Sequence, residues 1–334
     1  MSGTDGLEGG QKEDPVRDIV IFSGSAHREL AERICGRLGV ALSATRVTRF
    51  GNDCLQVQLH ANCREADVFV IQPLSPPVHE HLMELLLMLD AARGASAARA
   101  TAVIPFFSYA RSDKKDAPRI SIAARLVADL LVTAGATRIL TMTMHAPQVH
   151  GFFNVPLDHL HALSVLAEHF KDRDLDDTVV VSPDLGRARE AAHFARLLRL
   201  PVAAGSKRRL SDRRVVIDAI IGDVDKGTAI VIDDEIATGS TVFTLLDLLR
   251  DRGVRKFAVI CTHGVFGAGA LDRFREQHDI AEIVTTDTVP LAPDKRLLNL
   301  HVLSVAPLLA ETIRRIHEGE SVSSLFTEPD QGEP

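Results

Sequence analysis

The chain has 334 residues, 46% apolar and 25% charged, which is room for two packed domains and ordinary for a soluble globular protein. A formal net charge of −7 argues against nucleic-acid binding as its main business, and no apolar run approaches a bilayer span. The four cysteines, Cys35, Cys54, Cys63 and Cys261, form neither a Cys-x-x-Cys pair nor a zinc spacing, so reduced cytosolic thiols are expected.

Residues 1–16 are polar, Gly-rich and acidic, without the basic and apolar parts of a secretory signal. They read as a disordered tail on a cytoplasmic protein. From Ile19 onward, apolar strand-like runs alternate with amphipathic ones. The first strand is expected at 19–22, ending in Ser23-Gly24-Ser25 before a helical pattern with Leu30, Ile34 and Leu38. A strand at 68–71, a turn with Pro73, Pro76 and Pro77, and a helical run at 80–92 follow. Strands at 102–107 and 139–144 flank a charged loop and a helix near 120–133. A second series begins near His161, with strands expected at 178–182, 201–204, 215–218, 228–233 and 257–262. The β-α-β-α order predicts α/β architecture: mostly parallel sheets with helices on both faces. Two such domains are expected at 17–158 and 159–318, with a C-terminal tail at 319–334. Ligands of such sheets sit beyond the carboxyl ends of the strands, where this chain concentrates its polar residues.

The stretch 229–241, AIVIDDEIATGST, is the most informative. An apolar strand meets Asp233 and Asp234, a small hydroxyl-rich turn follows, and a helix begins with Val242, Leu245, Leu246 and Leu249 on one face. Backbone N–H groups of 237–241 and the hydroxyls of Thr238, Ser240 and Thr241 can close around a phosphate at a helix N-terminus. Carboxylates beside a phosphate suit ribose hydroxyls or a phosphate-bound divalent cation. The element reads as a sugar-phosphate site, with a generic strand-to-helix turn as the plainer alternative. It is neither a Walker A loop nor a dinucleotide fingerprint. Arg111, in YARSDKK, stands in a basic run suited to polyphosphate or simply to solvent. His145 and Asp184 each end a strand and together are able to hold magnesium through water and substrate oxygens, although either alone is weak. The basic stretch from Lys207 to Arg214 is able to close over a triphosphate as a mobile loop, or to be a solvated face.

Together these segments resemble the ribose-phosphate pyrophosphokinase family, the phosphoribosyl pyrophosphate synthetases, from about Ile19 to Phe326. The most specific pieces are FSGSAHRELAERI, SPPVHEHLMELLLMLDA, HAPQVHGFFNVPLDHL, VIDDEIATGST and LSVAPLLAETIRRIHEGESVSSLF. The resemblance implies two phosphoribosyltransferase-like domains and a homohexamer or other homo-oligomer with sites at subunit contacts. It implies transfer of the pyrophosphoryl group of ATP to the 1-hydroxyl of ribose 5-phosphate, with Mg2+ as cofactor, AMP leaving, and neither nucleic acid nor membrane as partner. Carried over by position, Asp233, Asp234, Ala237, Thr238, Gly239, Ser240 and Thr241 would hold ribose 5-phosphate. Lys207 and Arg209 would be catalytic, on a flexible loop. His145 and Asp184 would meet magnesium and the ATP phosphates, Arg111 the nucleotide, and Phe50 and Asn52 the base.

Five departures fall on that site. The family's Phe-x-Asp-Gly-Glu hairpin is Phe50-Gly51-Asn52-Asp53-Cys54 here, Ser112 follows Arg111, and Thr143 replaces an aspartate. Gly186-Arg187 stands for Gly-Gly, and Ala237 for an acidic residue. The alternative is therefore a weak or inactive paralogue that regulates an active synthetase by co-assembly. The retained Lys207, Arg209, His145, Asp184, Asp233 and Asp234 favour an enzyme.

Overall fold

The structure, a computed structural model, describes residues 17–211, 214–267, 269–292 and 297–325. The tail expected at 1–16 lies outside them, as do residues 326–334 of the expected C-terminal tail. The first half runs β1 (Ile19–Ser23), α1 (Arg28–Leu38), β2 (Leu42–Ser43), β3 (Thr45–Arg49), β4 (Leu55–Leu59) and β5 (Asp67–Ile71). It continues through α2 (Val78–Gly94), β6 (Arg99–Ile104), α3 (Ala123–Ala134), β7 (Arg138–Met142) and β8 (Leu157–Leu160). The second half has α4 (Leu163–Glu168), β9 (Thr178–Ser182), α5 (Ala188–Leu198), β10 (Val202–Ser211), β11 (Arg214–Ile221) and β12 (Thr228–Ile236). It closes with α6 (Ser240–Asp251), β13 (Lys256–Gly264), α7 (Ala270–Arg275), β14 (Ile280–Thr286), β15 (Leu300–Leu303) and α8 (Ala306–Glu318).

Continuous apolar runs such as DVFVI in β5, buried at every position, are the mark of strands covered on both faces. They assemble a six-stranded, all-parallel sheet in the order β2-β1-β5-β6-β7-β8. The second sheet has seven strands, β11-β10-β9-β12-β13-β14-β15, parallel except for the β10–β11 hairpin. Strands β3 and β4 form a separate antiparallel hairpin. Side chains alternate between the faces of each sheet with the strand's period of two. Thus Val68 and Val70 enter one cluster and Phe69 and Ile71 another, as Val179 and Val181 part from Val180.

The structure departs from the expected outline in three places. Helix α8, placed by chain order in the second domain, packs Leu309 and Ile313 against Leu30, Ile34 and Phe69 of the first sheet's cluster. Strand β8 crosses the expected boundary at 158/159 and completes the first sheet. The stretches expected as short strands at 201–204 and 215–218, with a loop between, form one long hairpin, β10–β11. No described helix is long and apolar enough to cross a membrane.

In the second sheet the chain adds β10 on one side of β9 and then returns to lay β12 on the other. The connections after β9 and β12 therefore diverge to opposite sides and leave a crevice at their carboxyl ends, where open α/β sheets bind ligands.

Candidate functional site

Asp184 follows β9 at this crevice, Asp233 and Asp234 sit near the end of β12, and His145 comes from the loop after β7 of the other sheet. His145 Nδ1 lies 2.8 Å from Asp234 Oδ2. The Arg187 guanidinium joins them, with Nη2 2.6 Å from Asp234 Oδ2, 2.6 Å from the His145 main-chain oxygen and 2.9 Å from His145 Nδ1. Its Nη1 donates to Glu190 Oε1 at 2.8 Å. An ionised carboxylate only accepts, and its surroundings hold Asp234 ionised. The proton between His145 and Asp234 therefore belongs to Nδ1, which donates to the carboxylate. Nε2 has no hydrogen-bond partner among the described residues.

The acids of this corner differ sharply. Withdrawal from water, then the adjacent Asp234 carboxylate, hold Asp233 well above the usual carboxylate range. Burial works the same way on Asp234, but the hydrogen bonds from His145 and Asp233 and the charge of Arg187 outweigh it and hold this group low. Asp234 Oδ1 is buried without a partner. Asp184 Oδ1 accepts from the main-chain N–H of Arg187 at 3.1 Å, capping a single 3-10 turn, Leu185–Arg187, and so fixing where the guanidinium starts.

The turn at 237–241 is shaped by Gly239. Its φ of +73° favours glycine, and a Cβ there would lie 2.8 Å from the Phe243 ring. Helix α6 begins at Ser240; its cap residue Gly239 offers no side chain, and Thr238 Oγ1 accepts from Ser240 N at 3.4 Å. The carbonyls of Ile236 and Ala237 are pinned by the N–H groups of Phe266 and Gly267 at 2.9 and 2.8 Å. Asp233, Glu235, Ala237, Thr238 and Gly239 line one small pocket with Arg111, which crosses from the first sheet's side. Arg111 Nε reaches Glu235 Oε2 at 3.0 Å. Burial raises the Glu235 pKa against the pull of Arg111. Sequence reasoning passed over Glu235, although three acids in succession at a strand end are visible there.

Other expected site residues lie apart. Phe50 is 48% exposed at the tip of the β3–β4 hairpin, and Asn52 Oδ1 accepts from Cys54 N at 3.3 Å. Among the described residues no hydrogen bond or ion pair links residues 50–54 to Asp234 or its partners. The backbones of Lys207 and Arg209 pair with Ile217 and Val215 in the hairpin, so the expected loop is strand at these positions. Their side chains lie outside the description.

Two departures have plain structural uses. Thr143 is buried in the seam between the sheets, where Oγ1 meets Ala162 N and Thr262 Oγ1, both at 3.3 Å. Ser112 Oγ accepts from Ala123 N at 3.1 Å at the start of α3. Elsewhere, His169, Glu282 and His301 place possible ligand atoms within 4.8 Å of one another. Arg173 already neutralises that carboxylate, and Glu282 and His301 stand near the starts of β14 and β15.

A family profile for the N-terminal domain of ribose phosphate pyrophosphokinase matches residues 19–135, and one for the phosphoribosyl synthetase-associated domain matches residues 210–327. A ribose-phosphate pyrophosphokinase of Deinococcus radiodurans is 49% identical, over 92% of this chain and 98% of its own. One of Caldanaerobacter subterraneus is 46% identical, over 93% and 99%. The crystal structure of phosphoribosylpyrophosphate synthetase from Mycobacterium smegmatis is 41% identical, with a TM-score of 0.84 over 91% of this chain and 100% of that one.

Proposed function

The chain belongs to the ribose-phosphate pyrophosphokinase family and makes phosphoribosyl pyrophosphate, and we propose that it does so across the seam between its two sheets. The pyrophosphoryl group of ATP passes to the 1-hydroxyl of ribose 5-phosphate. The sugar oxygen bonds to the β-phosphorus as the bond from that phosphorus to the AMP oxygen breaks, and the hydroxyl proton is lost to water. Such a reaction asks a protein mainly for positioning and charge neutralisation.

One observation carries the placement: the pocket in which Arg111 faces the 237–241 turn beside Asp233. In this reading the N–H groups and hydroxyls of Ala237, Thr238, Gly239, Ser240 and Thr241 bind the 5-phosphate. Asp233 and Asp234 hold the ribose hydroxyls. Arg111 steadies the phosphates, and Lys207 and Arg209 neutralise charge on the group in transfer. Magnesium enters as the ATP salt. His145 Nε2, with the other ring nitrogen held by a carboxylate, and the hard oxygen donor of Asp184 would meet the magnesium carried on the ATP phosphates. The exposed Phe50 and Asn52 take the base in a neighbouring subunit of a homohexamer or other homo-oligomer.

The test is AMP release from ATP, ribose 5-phosphate and magnesium by wild type and Lys207→Ala. Loss of a group that stabilises the transferring phosphoryl is expected to slow AMP release by roughly a hundred- to a thousand-fold. An unchanged rate in the variant would remove Lys207 from the mechanism. No AMP from folded wild type would return the regulatory paralogue as the better reading.

A further inference from the structure

Arg187 is the one arginine among the described residues that is buried, with its side chain 8% exposed against 2% for Asp234. A guanidinium is always charged, and burying it is costly unless both its charge and its donors are met. Here they are met by Asp234, the His145 carbonyl and Glu190. The fork ties the turn before α5 to the end of β12 and to the loop after β7, so it spans both halves of the molecule. The carboxylates need it equally. Asp234 is buried between Asp233 and Glu235, and its charge needs a positive partner beside it.

Either the protein or a bound metal can supply that charge. The position of Nη2 decides between them. It lies 2.6 Å from Asp234 Oδ2 and 2.9 Å from His145 Nδ1, in the wedge that a cation bridging the two would have to enter. Two cations cannot share it.

We propose that Arg187 is a positioning residue that acts as a built-in cation. It neutralises the Asp234 carboxylate and leaves His145 Nε2 outward for a phosphate-bound cation, so no free divalent cation binds between Asp234 and His145. The divalent cation of the reaction then arrives only with ATP. The proposal rests on the function assigned above and narrows its metal requirement.

The experiment counts Mn2+ bound to the full chain without nucleotide, by electron paramagnetic resonance, for wild type, His145→Ala, Arg187→Gly and the double variant. AMP release is followed in parallel against free Mg2+ at fixed Mg–ATP. Wild type and His145→Ala are expected to give equal Mn2+ counts. Arg187→Gly gains one Mn2+ per chain, which the double variant loses. Wild-type AMP release is flat in free Mg2+ once ATP is complexed. Arg187→Gly is about ten- to a hundred-fold slower and recovers as free Mg2+ rises. A wild-type Mn2+ that disappears in His145→Ala overturns the proposal, as does an unchanged count in Arg187→Gly. If Arg187→Gly does not fold, the wild-type and His145→Ala counts still decide, and Arg187→Lys, which keeps the charge, is expected to gain no Mn2+. Failure of the functional reading shows separately, as absent AMP at every Mg2+ concentration, and leaves the Mn2+ counts readable.

Discussion

At Gly239 the backbone turns through a φ of +73° with the Phe243 ring close behind it, so any side chain brings both strain and a clash. Gly239→Ala is expected to cost about 1–3 kcal/mol and to raise the KM for ribose 5-phosphate more than it lowers kcat. Urea unfolding and steady-state kinetics read the two effects, and an unaltered KM would show that the turn does not hold the sugar phosphate. Asp234 belongs to a different class of residue, because its charge is matched by a buried guanidinium. Asp234→Asn leaves Arg187 with Glu190 as its remaining carboxylate and is expected to destabilise the fold by about 3 kcal/mol, the low end for a broken buried pair. A loss below about 1 kcal/mol in chemical denaturation, the range of an exposed ion pair, would mean that water already screens the pair. Asp233, Asp234 and the turn were legible because strand, acids and hydroxyls follow one another along the chain. Arg187 was visible only as a departure, since its partners stand 42 and 47 positions away, at His145 and Asp234.

Among the elements, α8 shows how far chain order misleads. Its apolar residues recur at helical spacing, so the helix itself is readable, but its buried face meets α1 and the first sheet. Leu309 and Ile313 have no exposure, and Ile313→Ala is expected to cost about 2–5 kcal/mol. Equilibrium unfolding checks this, and a cost near zero would place α8 off the core. The β10–β11 hairpin taught a related lesson. Its charged residues broke the apolar pattern that had identified the other strands, yet the backbone ladder continues through Lys207 and Arg209. The strand of residues 99–104 was placed late because its first four residues, RATA, have no apolar periodicity to announce it.

For the whole molecule, the seam between the sheets is built from polar groups that only the assembled fold can satisfy. His263 of β13 reaches Thr288 Oγ1 at 2.9 Å and, across the seam, the Thr143 carbonyl at 3.1 Å. Burial pushes its imidazole down to about 4, from 6.5 in an exposed histidine. A depressed pKa means that the unfolded chain takes up the proton first as the solution is acidified. His263 therefore contributes stability that is fully present above about pH 6.5 and is lost as pH falls toward 4, at roughly 1.4 kcal/mol per pH unit. Asp233, raised by burial, shifts stability with pH in the opposite sense, so the useful comparison is with His263→Gln. Between pH 6.5 and 4.5 wild type is expected to lose stability more steeply than the variant. Parallel curves from urea unfolding at several pH values would show that His263 does not stay neutral in the fold.

By itself the sequence determined the α/β class, most of the strand and helix alternation, the family, and the strand-acid-turn-helix unit of 229–241. All of these rest on apolar period, turn chemistry and residue order, which act between near neighbours in the chain. Only the tertiary structure decided that Arg111 faces the 237–241 turn, that Arg187 stands between His145 and Asp234, and that α8 returns to the first sheet. Those facts depend on burial, which strips water from charges and forces each to find a partner wherever the fold has brought one.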